Sequence, residues 1–173
     1  MEHDVESHPA RRIAAYLRSH GLVLVTAESC TAGLIAARLA EVPGAGKVLE
    51  SAFVVYDPAS KQRCLGVPPD LIERHNLTSE PVALAMAEGA LRHSDADLAV
   101  ANTGVADDTD PDIERGTQCF AWVFRGKGGA RGFSETRVFG GSRNQIREAS
   151  AGHALLRIPH YHALLAEPGT AHC

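Results

Sequence analysis

Runs of apolar residues in this chain are short, and their spacing switches between helical and extended periods. Pro9 suits the first turn of a helix that carries Ile13, Ala14 and Leu17 on one face and that Gly21 would end. Leu22–Val23–Leu24–Val25 is apolar without alternation, as in a short parallel strand buried on both faces. The Ala, Leu, Ile and Arg run from Gly33 to Glu41 has helical character, so Glu28 to Thr31 fall at a strand-to-helix turn. Ser51 to Tyr56 reads as a second strand. Asp57 then stands where it can cap a short helix, with Pro58 at the first helical position and Lys61 one turn on.

Pro68–Pro69 starts a brief helix through His75, and Thr78–Ser79–Glu80–Pro81 begins a longer one to about His93. Val82, Leu84, Ala85, Met86 and Leu91 form the apolar face of the second. Leu98 to Ala101 is a third buried strand, leading through Asn102–Thr103–Gly104 into an acidic, turn-rich loop from Ala106 to Gly116. Thr117 to Phe124 and Phe133 to Phe139 alternate apolar and polar residues around Gly126–Lys127–Gly128–Gly129, a β-hairpin signature. Gly140–Gly141–Ser142 precede a helix from Asn144 to Leu156, with Arg143 and Arg147 one turn apart at its start. This order predicts an α/β fold, a three-layer α/β/α sandwich with helices on both faces of a mixed sheet. A single domain spans 1–173, with its core at about 9–158 and a C-terminal tail at 159–173.

Composition narrows the function. With 173 residues and 45% hydrophobic content the chain can bury one substantial core. A net charge of −4 gives no electrostatic footprint for nucleic acid, so the expected partner is a small molecule. Cys30, Cys64, Cys119 and Cys173 show no CxxC spacing, and the start MEHDVESHPARR lacks the apolar core of a signal peptide, which predicts a reduced, cytoplasmic protein. No apolar run approaches the ~20 residues needed to span a bilayer, so no membrane partner is expected.

A strand-to-helix turn presents backbone N–H groups and the positive end of a helix dipole, which suits an anionic group or a developing oxyanion. Ser29 and Cys30 are the nucleophile candidates there; the alternative is that Ser29 or Thr31 only caps the helix. A serine needs a base, and Lys61 can serve if burial lowers its pKa by roughly two to three units and leaves it neutral at rest. Arg143 and Arg147 would push the same way and the acidic loop would oppose them. Otherwise Lys61 is a solvated surface charge. Tyr56 could assist proton transfer or fill a strand end. Thr103 and Gly104 could hold substrate through N–H and hydroxyl groups or form a turn, and Arg143 and Arg147 could bind a phosphate. His160 and His162 make an incomplete metal half-site, and Asp107, Asp108, Asp110 and Asp112 form either a cation-attracting cluster or a solvated loop. No metal is expected.

Taken together, AESCTAG at Ala27 to Gly33, Tyr56 followed five residues later by Lys61, SEPV from Ser79, TGVA from Thr103, GTQCFAW from Gly116 and GSRNQIR from Gly141 resemble the C-terminal domain of CinA proteins. The resemblance runs from about Ala14 to Leu156, and the family includes nicotinamide-nucleotide amidohydrolases. It implies hydrolysis of the carboxamide of nicotinamide mononucleotide to nicotinate mononucleotide and ammonia, with no metal or organic cofactor. Ser29 matches the family's nucleophile and Lys61 its base. Tyr56 joins the catalytic group, and Cys30, Thr31, Thr103, Gly104, Arg143 and Arg147 line the substrate. A homo-oligomer is expected.

Three motifs depart from the family's pattern. ESCTGG reads ESCTAG, which is harmless if Ala32 has φ < 0; SGIAGPxGG reads NTGVADDTD; GDR reads GSR. Carboxylates in place of a glycine-rich loop would repel a phosphate, shifting affinity away from the mononucleotide towards a less anionic amide. Two further functions fit the same residues: a divergent member that binds a nucleotide or partner without turnover, and a metal-dependent hydrolase using the aspartates and histidines.

Overall fold

The computed structural model describes residues 9–166. The polar start at 1–8 and the last part of the expected tail, 167–173 with Cys173, lie outside them. Five strands form one sheet in the order β2-β1-β3-β4-β5: β1 (Leu24–Glu28), β2 (Leu49–Val54), β3 (Leu98–Gly104), β4 (Thr117–Phe124) and β5 (Arg131–Val138). β1 is parallel to both neighbours, whereas β4 and β5 run antiparallel, so the sheet is mixed and the β4–β5 hairpin completes it. The helices are α1 (Pro9–Ser19), α2 (Leu34–Ala40), α3 (Pro58–Leu65), α4 (Pro69–His75), α5 (Glu80–Arg92), α6 (Arg143–Leu156) and α7 (Ile158–Leu164).

Strand periodicity sorts the core into two layers. Leu24, Leu98, Val100, Phe120, Trp122 and Phe124 face one side, where Ile13 and Leu17 of α1, Ile35 and Leu39 of α2, Leu155 of α6 and Tyr161 of α7 close over them. Ala27, Ala99, Ala101 and Ala121 face the other, and these small residues admit Val82, Ala83, Met86 and Ala90 of α5 close to the sheet. The chain is thus a single-domain α/β protein with helical layers on both faces of a mixed sheet.

Several boundaries differ from the sequence expectation. β1 begins at Leu24 and runs through Thr26, Ala27 and Glu28, all fully buried, because the two polar side chains satisfy one another under α2. β2 ends at Val54, before Tyr56. β3 continues past Ala101 to Gly104, since β4 pairs with Asn102, Thr103 and Gly104 as fully as with the apolar part. α5 buries Ala83, Ala87 and Ala90, while Leu84 and Ala85 stay half-buried. The segment expected as a tail from 159 instead forms α7, whose Tyr161 stacks on Trp122 with ring centroids 4.4 Å apart.

A polar latch holds α6 and α7 to the sheet edge. The Glu135 carboxylate on β5 accepts from His153 Nε2, from Arg157 Nη2 at 3.2 Å and from Tyr161 Oη at 2.6 Å. Burial pushes Glu135 up, but the hydrogen bonds from Tyr161 and His153 and the charge of Arg157 outweigh it, leaving its pKa below the usual carboxylate value. A carboxyl with a depressed folded-state pKa contributes stability above its unfolded value and loses it as pH falls through the folded one. Glu135→Ala should therefore cost about 2–3 kcal/mol at neutral pH, since it strands three donors. Denaturant midpoints at pH 7 and near pH 3 check this: the gap between variant and parent should close in acid.

Candidate active site

The turn after β1 is organised from below by Glu28. Its fully buried carboxylate accepts five hydrogen bonds, from the hydroxyls of Thr26 (3.0 Å) and Thr31 (2.7 Å) and the N–H groups of Gly33 (2.9 Å), Ile35 (3.1 Å) and Ala36 (3.0 Å). The strand's own side chain thus occupies the positive end of α2. This corrects the expectation that this helix end receives an anionic ligand. Neither Ser29 nor Thr31 caps the helix: the N-cap is Gly33, without a side-chain bond, and Thr31 gives its hydroxyl to Glu28. Ala32 has φ 47°, not the negative value that would make it harmless, at a backbone cost of about 1 kcal/mol.

With Glu28 anchoring the helix side, the Asn102 carbonyl takes the Ser29 N–H at 2.9 Å and the Asn102 side-chain oxygen takes the Thr31 N–H at 3.1 Å. Asn102 Nδ2 donates to Gln118 Oε1 at 3.0 Å, and Gln118 Nε2 reaches the Val105 carbonyl at 3.0 Å and Cys30 Sγ at 3.4 Å. This amide pair explains Gly104, where any Cβ would come within 2.4 Å of the Gln118 amide carbon. Arg147 completes the support by donating to the Cys30 carbonyl at 2.9 Å and the Thr31 carbonyl at 3.3 Å.

Lys61 approaches Ser29 from the neighbouring strand end. Asp57 caps α3 by accepting the Ser60 N–H and Pro58 fits its first turn, which turns Lys61 back towards the sheet. The side chain is 1% exposed, and Nζ donates to Ser29 Oγ at 3.0 Å, the Val55 carbonyl at 2.8 Å and the Tyr56 carbonyl at 3.1 Å. Burial pushes its pKa down to about 8, against an opposing pull from the Asp57 carboxylate. The fall is of the size expected for a base that gives up its proton near neutral pH. The arginines do not drive the shift: Arg143 is paired with a carboxylate and Arg147 with carbonyls.

Ser29, Cys30, Tyr56, Lys61, Thr103 and Gly104 line one cavity of about 660 Å³ at the strand ends, together with the α4–α5 link, Arg143 and the acidic loop. Thr31 and Arg147, both expected against substrate, are not among the lining residues and serve the turn. Thr103 spends its hydroxyl on the Leu77 carbonyl at 2.9 Å. Burial raises the Cys30 pKa, which keeps the thiol protonated. Tyr56 is 56% exposed at the rim, where its hydroxyl accepts from Arg143 at 2.8 Å.

The aspartates do not act as one group. Asp107 pairs with Arg143, Asp108 lies 3.9 Å from Arg115, and Asp110 accepts from the Asp112 N–H at 3.0 Å. His162 hydrogen-bonds the Tyr16 hydroxyl at 2.8 Å on α7. No group of three or more metal-ligating side chains occurs among the described residues, so the histidines and aspartates of the metal-dependent reading are not brought together. Nor is any described helix long and apolar enough to cross a membrane.

Fold and site define a one-domain α/β protein with a buried lysine against a serine in a cleft at the strand ends. The chain belongs to the CinA C-terminal domain family, whose profile matches residues 6–161. A CinA-like protein of Akkermansia muciniphila is 42% identical over 147 residues, covering 84% of this chain and 35% of the relative. Another from Mycobacterium tuberculosis is 44% identical over 137 residues, covering 78% and 31%. The chain therefore spans about a third of the length of the curated relatives it matches. Among solved structures, the competence/damage inducible protein of Agrobacterium tumefaciens superposes with a TM-score of 0.81 at 34% identity, covering 91% of this chain and 93% of that one. A CinA superfamily protein of Escherichia coli gives 0.83 at 28%, covering 93% and 92%.

Proposed function

We propose that this domain is a cofactor-free serine amidohydrolase acting on the carboxamide of a pyridine nucleotide, with nicotinamide mononucleotide as the reference substrate. The observation that carries the reading is the 3.0 Å contact between Lys61 Nζ and Ser29 Oγ inside a lined cavity. When Lys61 loses its proton, the Val55 and Tyr56 carbonyls still accept its two N–H groups, which leaves the lone pair for the Ser29 hydroxyl. Ser29 Oγ then attacks the amide carbon while its proton passes to Lys61. The resulting ammonium protonates the leaving nitrogen, the C–N bond breaks and ammonia departs, leaving an ester on Ser29. Water adds to that ester with Lys61 again as base, giving the carboxylate and free serine.

Ammonia release from purified protein tests the reading, with pH as the variable. Activity should rise tenfold per pH unit below the Lys61 value and level off above about 8, because only the neutral amine is competent. A profile flat between pH 6 and 9, or no ammonia at any pH, would contradict it.

A further inference from the structure

The cavity's outer half carries a charge arrangement that the serine–lysine pair does not use. Arg143, the first residue of α6, has both terminal guanidinium nitrogens engaged: Nη1 pairs with the Asp107 carboxylate and Nη2 donates to the Tyr56 hydroxyl at 2.8 Å. Asp107 is fixed in turn by the Thr109 hydroxyl at 2.5 Å. Asp110 lines the same rim, hydrogen-bonded to Asn76 Nδ2 at 3.4 Å. The lining therefore holds two carboxylates and two cations, Arg143 and Lys61. The two carboxylates balance the two cations while Lys61 is protonated and outnumber the single guanidinium once Lys61 gives up its proton.

We propose that Asp107 is a specificity-determining residue, which by clasping Arg143 against Tyr56 makes the site select an amide whose far end carries no phosphate. This rests on the amidohydrolase reading and moves its preferred substrate from the nucleotide to the nucleoside class. A phosphate is held best by a guanidinium whose charge is free, and here Asp107 already neutralises Arg143, with one N–H of each terminal nitrogen given to the carboxylate and to the Tyr56 phenol. A dianion entering the rim would have to displace Asp107 and then sit beside two carboxylates, at a penalty that salt screens only in part. An uncharged ribose meets no such penalty: the Tyr56 hydroxyl, which accepts from Arg143, keeps its own proton to donate, and the Thr109 hydroxyl, which donates to Asp107, keeps its lone pairs to accept.

The test compares equilibrium binding of nicotinamide riboside and nicotinamide mononucleotide, which share the amide and differ by one phosphate. It is done on Ser29→Ala protein, so that binding is read whether or not the amide is cleaved. With Asp107 present the riboside should bind about tenfold tighter or more. Ser29→Ala/Asp107→Asn should gain about tenfold for the mononucleotide and change little for the riboside, the gain shrinking as salt rises. Ser29→Ala/Asp110→Asn removes the same charge without touching Arg143 and should shift the ratio less. Equal or tighter binding of the mononucleotide with Asp107 in place overturns the proposal, as does no binding of either amide. An Asp110→Asn shift as large as that of Asp107→Asn also overturns it. Absence of ammonia release from the Ser29 protein with both amides would instead remove the amidohydrolase reading, whatever the binding ratio.

Discussion

Ser29→Ala should reduce ammonia release by about a thousandfold or more while leaving the unfolding midpoint close to that of the parent. The substitution deletes one hydroxyl, and the turn does not depend on it. The Ser29 backbone is held by the Asn102 carbonyl, and the helix beyond it by Glu28. What the hydroxyl contributes is a contact with Lys61, the one buried amine in the site, so its loss falls on chemistry and not on architecture. Cys30→Ala is the matched control. Its thiol is buried, has a raised pKa and accepts a hydrogen bond from Gln118 while packing with Ala106 and Ile146, so turnover should stay within a few-fold of the parent. Steady-state kinetics of the two variants side by side decides the point: activity in Ser29→Ala, or its loss in Cys30→Ala, would move the nucleophile to the cysteine.

Lys61→Arg should be almost as damaging, through a different cause. Arginine keeps a positive charge at every accessible pH and cannot accept the serine proton, so the rate should fall by about a thousandfold with no recovery at alkaline pH. The larger head must also replace the three hydrogen bonds that the buried Lys61 makes. Lys61→Met separates the two effects. It retains length without charge or basicity, so it should fold close to the stability of the parent, the relief of a buried cation offsetting the lost bonds to the Val55 and Tyr56 carbonyls. It should nevertheless be as inactive as the arginine variant. Thermal melts and pH–rate profiles of both variants check this; turnover by Lys61→Met that approaches the parent would remove the lysine from the reaction.

Much of this site is visible in the chain because its parts are local. Asp57–Pro58 is a helix start by residue type alone, and a lysine three residues beyond Pro58 must project near the end of the strand before it. Ser29 stands out because an apolar run stops just ahead of it. The pieces that escaped are those whose meaning is tertiary. Glu28 looks like the first polar residue of a turn, yet it is the last residue of a buried strand and the acceptor for α2. The available signal was a carboxylate at a strand end a few residues ahead of a helix with no capping side chain of its own. Asn102 and Gln118 belong to strands that pair only in the folded sheet, and nothing nearby in sequence joins them. Arg143 and Arg147 look equivalent at one-turn spacing, but one faces the cavity and the other the underside of the turn. α7 carries too short an apolar pattern to declare itself; Tyr161 makes it part of the core by stacking on Trp122 and hydrogen-bonding Glu135.

Transfer of the amide's acyl group to Ser29, activated by Lys61, is the step on which the proposed mechanism stands. Its most direct measurement is mass spectrometry of protein quenched in acid during turnover of nicotinamide riboside and of nicotinamide mononucleotide, followed by peptide mapping. The expected result is a transient adduct of the acyl portion on the peptide carrying Ser29, attached at that residue and absent from Ser29→Ala and from Lys61→Arg. An adduct on Cys30, or ammonia released at an undiminished rate by protein lacking the Ser29 hydroxyl, would contradict it.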